Sequence, residues 1–237
     1  MIRMTRVTKR VKAANINPTS EWLANIEPIT ATQQKVFDSW EDDNNLVLAG
    51  SAGTGKTYIA MYLALRDILK YDSIYDQLVM IRSVVPTRDM GFLPGTQKEK
   101  EDAYQSPYKA ICSELFGDPA AYAKLAGTKK IHFESTSFIR GLTFNNSILI
   151  VDEMQNLNFH ELDSVITRVG KNCKIIFCGD YRQSDFKKED EKNGVVTFLS
   201  IIERMNNFEI VNFGWEDIVR SGLVRDYLMT KEMMDIE

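Results

Sequence analysis

The chain holds 237 residues, 44% of them apolar, with 29 basic and 33 acidic side chains and a net charge of −4. That length suits one large α/β domain, and the acidic balance excludes a molecule that is basic all over, so any nucleic-acid surface must be a local patch. No apolar run is long enough to span a membrane and residues 1–6 lack the apolar stretch of a secretory signal; three cysteines without a C-x-x-C pair, Cys112, Cys173 and Cys178, suit a reducing cytoplasm.

Residues 1–25 read as a basic arm carrying Arg3, Arg6, Lys9, Arg10 and Lys12 with no acid before Glu21. The arm is either a nucleic-acid contact or a solvated terminus. Residues 26–237 read as the folded domain. A helix is expected over 31–40, with Thr30 as its cap. Strands are expected over 46–49, 78–82, 130–134, 147–152, 174–179 and 208–212. Most are continuous apolar runs, which suit strands buried on both faces of a parallel sheet. Helical stretches over 56–70, 107–116, 120–125, 160–169 and 195–205 separate them. The alternation predicts an α/β fold, a mostly parallel wound sheet flanked by helices, with ligand outside the carboxyl ends of the strands. Residues 84–106 show no period and hold Pro86, Gly91, Pro94 and Gly95, the signature of a functional or mobile loop. Residues 185–193 alternate in charge and read as a solvated loop, while Cys173 and Cys178 flank a strand and read as buried. His132 and His160 lack metal-ligand spacing and read as structural or surface residues.

Gly50-Ser51-Ala52-Gly53-Thr54-Gly55-Lys56-Thr57 follows the first strand and opens the second helix. This is the G-x-x-x-x-G-K-[ST] phosphate loop. Glycines let backbone N–H groups converge on phosphate oxygens, and the helix dipole adds positive potential. Lys56 reaches the β and γ phosphates, and the Thr57 hydroxyl ligates Mg²⁺. The chain is therefore expected to bind a nucleoside triphosphate.

The strand Ile148-Leu149-Ile150-Val151 ends in Asp152 and Glu153. In a phosphate-loop ATPase the first acid holds Mg²⁺ and the second takes a proton from the attacking water. The next strand ends in Gly179-Asp180-Tyr181-Arg182-Gln183, where the Gln183 amide can bond the γ-phosphate or its water. Upstream, Gln33 suits bidentate recognition of an adenine edge, although Gln34 is a competing choice and the segment is also a plain capped helix start.

These pieces, in this order, resemble the first motor domain of superfamily 1 helicases, and the longer resemblance is to the PhoH-like family of phosphate-starvation-type ATPases. Besides the motifs above, it is carried by Gly91-Phe92-Leu93-Pro94-Gly95 with Lys98-Glu99-Lys100, by Ile139-Arg140-Gly141-Leu142-Thr143-Phe144, by Asn145-Asn146-Ser147 leading to Asp152-Glu153-Met154-Gln155-Asn156, and by Trp215-Glu216-Asp217-Ile218-Val219-Arg220-Ser221-Gly222-Leu223-Val224. Met154 departs from the family's usual alanine, Ser221-Gly222 from its usual His-Pro, and Arg182 stands at a variable position. The resemblance implies a RecA-like P-loop NTPase of the short, phage-type form. It also implies ATP hydrolysis with Mg²⁺, an RNA helicase role on single strands (RNA before DNA), and a homo-oligomeric ring, a hexamer.

Arg82, Arg88, Lys98, Lys100 and Arg140 fall in or near loops after strands and are candidates for nucleic-acid phosphates. A helicase of superfamily 1 draws its transition-state arginine from a second motor domain, for which this chain has no room. Arg220 and Arg225, past the last strand, are therefore the candidates for an arginine given to a neighbouring subunit. Two other classes stay open at this point: an ATP-driven switch or packaging-type ATPase acting on a protein partner, and a phosphotransferase with the same loop.

Overall fold

The computed structural model describes residues 4–5, 17–84, 102–180 and 189–234. Two short strands, β1 (Met4–Thr5) and β2 (Asn25–Ile26), pair antiparallel. Six longer strands form one sheet: β3 (Asn45–Gly50), β4 (Gln77–Arg82), β5 (Ile131–Ser135), β6 (Ser147–Val151), β7 (Cys173–Gly179) and β8 (Phe208–Phe213). Their spatial order is β5-β4-β6-β7-β3-β8, and every pairing is parallel. All six carboxyl ends therefore lie along one edge, the edge on which wound α/β sheets bind ligands.

The continuous apolar runs are explained by the two layers they enter. Leu46, Leu48, Leu78, Met80, Ile148, Ile150, Ile176 and Cys178 join one hydrophobic cluster, and the alternate residues Val47, Ala49, Val79, Ile81, Leu149, Val151, Ile175 and Phe177 join the other. A strand buried on both faces needs apolar residues at every position. Helices α1 (Ala31–Glu41), α2 (Lys56–Ile68), α3 (Ser106–Phe116) and α4 (Ala121–Gly127) contribute to the first layer. Helices α5 (Phe159–Ile166) and α6 (Glu189–Ile202) contribute to the second. Helix α2 is buried from Ile59 through Leu65, because it lies at the centre of its layer and is apolar all round. Helix α7 (Gly222–Met233) follows the sheet.

All six expected strands form, within a residue of their expected bounds. The helices depart further: α2 ends at Ile68 and α6 at Ile202, both short of their expected bounds. Residues 189–193 are helical, not loop, and begin α6. Helix α5 stops at Ile166, and Val169 instead bridges Phe144. Cys173 is only partly buried, with its thiol donating to the Phe144 carbonyl at 3.3 Å, whereas Cys112 and Cys178 are buried. Among the described residues no helix is long and apolar enough to cross a membrane.

Candidate nucleotide site

The phosphate loop closes the carboxyl end of β3. Gly50 adopts φ 128°, and a Cβ there would strike the Phe213 carbonyl of β8, so glycine is imposed by the neighbouring strand as well as by the turn. Gly53 and Gly55 also take positive φ, and Gly55 caps α2 in the left-handed region. Inside the loop Thr54 donates to the Ser51 carbonyl at 3.1 Å; Ala52 is exposed at its tip. The Lys56 ammonium is nine-tenths buried and donates to the carbonyls of Gly50 and Ser51 at 2.6 and 2.7 Å. Burial pulls its pKa below the ordinary lysine value, and the nearby Cys178, Asp180, Glu153 and Asp152 act against that pull.

Thr57 and Asp152, far apart in sequence, meet here: the Thr57 hydroxyl donates to Asp152 Oδ1 at 2.7 Å. The other carboxylate oxygen, Oδ2, accepts from Tyr108 of α3 at 2.9 Å. Tyr108 is fully buried and also hydrogen-bonds Arg82, whose guanidinium lies over the Tyr104 ring at 5.8 Å. Burial and the Glu153 charge push the Asp152 pKa up, while Thr57, Tyr108 and Arg82 favour its charged form. Two adjacent hard oxygen donors, one an acid whose burial asks for a compensating cation, fit Mg²⁺.

Glu153 has φ 54°, an uncommon left-handed conformation for a residue with a side chain. Its carboxylate is held by Gln155, which donates Nε2 to Glu153 Oε2 at 2.6 Å and accepts the Asp180 backbone N–H on Oε1 at 3.1 Å. Gln155 thus ties the acid after β6 to the motif after β7. It passes so close that a Cβ at Gly179 would overlap it and the buried Met154. The glycine of that motif is explained by this crossing.

Arg220 lies against the phosphate loop of its own chain. Val219 donates to the Gly53 carbonyl at 3.2 Å, and a Cβ on Gly53 would lie 3.0 Å from Arg220 Cγ and 3.6 Å from Nε. Arg225 is exposed on α7. Gln33 is 1% exposed; its backbone N–H donates to the Thr30 cap, and its Oε1 accepts from Ile29. Its Nε2 is buried without a hydrogen-bond partner among the described residues. Gln34 is exposed and donates to Asp38.

The sequence-chosen residues Lys56, Thr57, Asp152 and Glu153 therefore come together, with Arg220 beside them. Arg82, chosen for nucleic acid, is half-buried beside the carboxylates instead. Arg140 stands apart, on a cavity after β5. Gln183, Arg88, Lys98, Lys100 and the basic arm's Arg3, Arg6, Lys9, Arg10 and Lys12 lie outside the described residues. Sequence reasoning missed Tyr108 as a site residue and gave Gln155 no role. Nothing about Tyr108 in its own helix signals the contact, whereas Gln155 stands inside the quoted motif.

The PhoH-like protein family matches residues 25–231, nearly the whole chain. The chain belongs to that family. Relatives in it include the PhoH-like protein of Mycobacterium leprae, 30% identical over 85% of this chain and 57% of that one, and Protein PhoH of Escherichia coli K12, 34% identical over 77% and 51%. The chain thus spans about half the length of these relatives. Among solved structures it is similar to the large terminase of a thermophilic bacteriophage, with a TM-score of 0.49 and 14% identity over 87% of this chain and 50% of that one. The motifs, the all-parallel sheet and the family membership together make this a RecA-like P-loop NTPase.

Proposed function

We propose that the chain is a Mg²⁺-dependent ATPase whose turnover is coupled to binding or unwinding single-stranded nucleic acid, RNA before DNA, in a homo-oligomeric ring of six. The observation that carries the ATPase reading is the 2.7 Å bond from Thr57 to Asp152, which joins two motifs at the mouth of the phosphate loop with Lys56 and Glu153 beside it.

In this reading the loop N–H groups and the α2 N-terminus bind the phosphates. Lys56 leaves the Gly50 and Ser51 carbonyls for the β and γ oxygens. Thr57 and Asp152 hold Mg²⁺, which neutralises developing charge when bound. Glu153, steadied by Gln155, takes the proton from the attacking water. Gln183 contacts the γ-phosphate or that water, and Gln33 reads adenine. Arg220 supplies the transition-state cation in cis; this replaces the trans role expected from sequence and is supported by its contact with Gly53 of the same chain. The ring reading keeps Arg225 and the exposed Leu223, Val224 and Tyr227 of α7 as its contact surface.

Hydrolysis measured with no nucleic acid, with single-stranded RNA and with single-stranded DNA tests the coupling. Stimulation by RNA exceeding that by DNA is the expected result. No stimulation, and no binding at low salt with an ATP analogue present, would transfer the function to a switch acting on a protein partner.

A further inference from the structure

The carboxyl end of β5 reaches the same edge as the nucleotide site, two strands out from β6. There the chain turns over residues 136–138, with Phe138 donating its N–H to the Ser135 carbonyl at 2.9 Å. Ile139 is fully buried and anchors the turn, while Phe138, Arg140 and Leu142 on either side of it are exposed. Phe138 keeps 52% of its surface in water. A lone exposed aromatic is ordinary. Here Ser137 and Arg140, close to it in the chain, line a cavity of about 370 Å³ whose walls also include Thr136, His160, Glu161 and Ser164.

The wall is polar, and its one acid is already engaged. Glu161 accepts from the Thr136 hydroxyl at 2.8 Å on Oε1 and from the Asn158 N–H at 3.0 Å on Oε2. Both carboxylate oxygens thus have donors from the chain. Arg140 and His160 stand exposed at the rim with the Ser137 hydroxyl. An exposed aromatic face near a hollow that offers a guanidinium and hydroxyls is a combination suited to one nucleotide of a single strand: the base on the ring, the phosphate on the guanidinium and hydroxyls.

Resting on the nucleic-acid reading above, we infer that Phe138 is a base-stacking platform and that the adjoining Arg140 cavity is the phosphate subsite of the same nucleotide, on the β5 flank of the nucleotide edge. Among the described residues Phe138 shares no hydrogen bond or ring contact with those assigned to hydrolysis, so its loss leaves the basal ATPase unchanged.

The test measures binding of a labelled single-stranded RNA, and of DNA of the same sequence, by the full chain with an ATP analogue present. Phe138→Ala weakens binding about 5- to 150-fold, the worth of one stacked base, and Phe138→Trp restores it. Replacing the bases by abasic units weakens wild-type binding but leaves Phe138→Ala little changed. Arg140→Ala weakens binding and lowers the slope of log affinity against log salt by about 0.7, one single-strand phosphate. Equal affinities of wild type and Phe138→Ala, with equal losses on abasic strands, overturn the inference while nucleic-acid binding stands. A wild type that binds neither strand at low salt overturns the nucleic-acid reading and this inference with it.

Discussion

Along the edge where all six strands end, β3, β6 and β7 carry buried polar groups bonded to one another, whereas β5 and the C-terminal helix present Phe138, Arg140, Leu223 and Tyr227 to solvent. The two regions share one edge of the molecule. They differ in what they must do. Phosphoryl transfer rewards donors and charges fixed before the substrate arrives, because reorientation in the transition state is costly. A contact that accepts many nucleotide sequences needs only charge and an aromatic face, which function exposed. Substitutions in the centre should therefore change rates steeply, and those on the flank should change affinity.

The steepest break separates Lys56 from Glu153. Lys56→Ala removes the main cation for the β and γ phosphates, so nucleotide binding weakens and hydrolysis is abolished. Glu153→Gln keeps the shape and the Gln155 contact region but loses the base, so ATP binds normally and turnover stops. Equilibrium binding of a fluorescent ATP analogue beside steady-state phosphate release reads both. Near-wild-type turnover by Glu153→Gln would remove Glu153 from its role.

Next comes Arg220, which decides whether the centre is complete within one chain. Arg220→Ala should leave ATP binding intact and slow turnover about 10³- to 10⁵-fold. Because Arg220 lies on its own Gly53, mixing Arg220→Ala with Lys56→Ala subunits should restore nothing. Recovery of activity in co-assembled mixtures would return the arginine to the trans arrangement expected from sequence.

Tyr108 sharpens the comparison from the supporting shell. Tyr108→Phe keeps the buried ring and removes the donor to Asp152 Oδ2. The expected outcome is a Mg²⁺ requirement raised about 10- to 100-fold, with nucleotide affinity in chelator unchanged. An unaltered Mg²⁺ dependence would reduce Tyr108 to packing.

The sheet was legible in the sequence because strands buried on both faces must be apolar throughout, and the loop was legible because its glycines and Lys56 are local in sequence. Thr57 with Asp152 followed from known pairings of motifs. Tyr108 was not legible: its partner lies on another element, and a tyrosine at a buried helix position looks like any core aromatic. The contact of Arg82 with Tyr108 beside the carboxylates was not legible for the same reason, since a charge at a strand end gives no sign of whether it turns to solvent or to a buried group. Phe138 was hidden in a run where Ile139 and Phe144 enter the core and Phe138 and Leu142 do not, a distinction set by the turn and not by composition.

A further effect, confined to nucleotide affinity, is expected at Gln33 in the first turn of α1. Its Oε1 is committed to the Ile29 N–H at 2.9 Å, while its buried Nε2 donor lacks a partner among the described residues. An unmet buried donor costs about 1–3 kcal/mol, which an acceptor on a bound base offsets. Adenine offers N7 as that acceptor with an N6 amino donor beside it, whereas guanine places an acceptor where adenine has the amino group. Gln33→Ala loses the cap contact and the base contact together, so it cannot separate them. Gln33→Glu can: the carboxylate still accepts from Ile29 but has nothing to donate to N7. Its melting temperature should stay near wild type while the KM for ATP rises about 5- to 150-fold and kcat holds. Equal use of ATP and GTP by the wild type would sink the adenine role and leave Gln33 as part of the α1 cap alone.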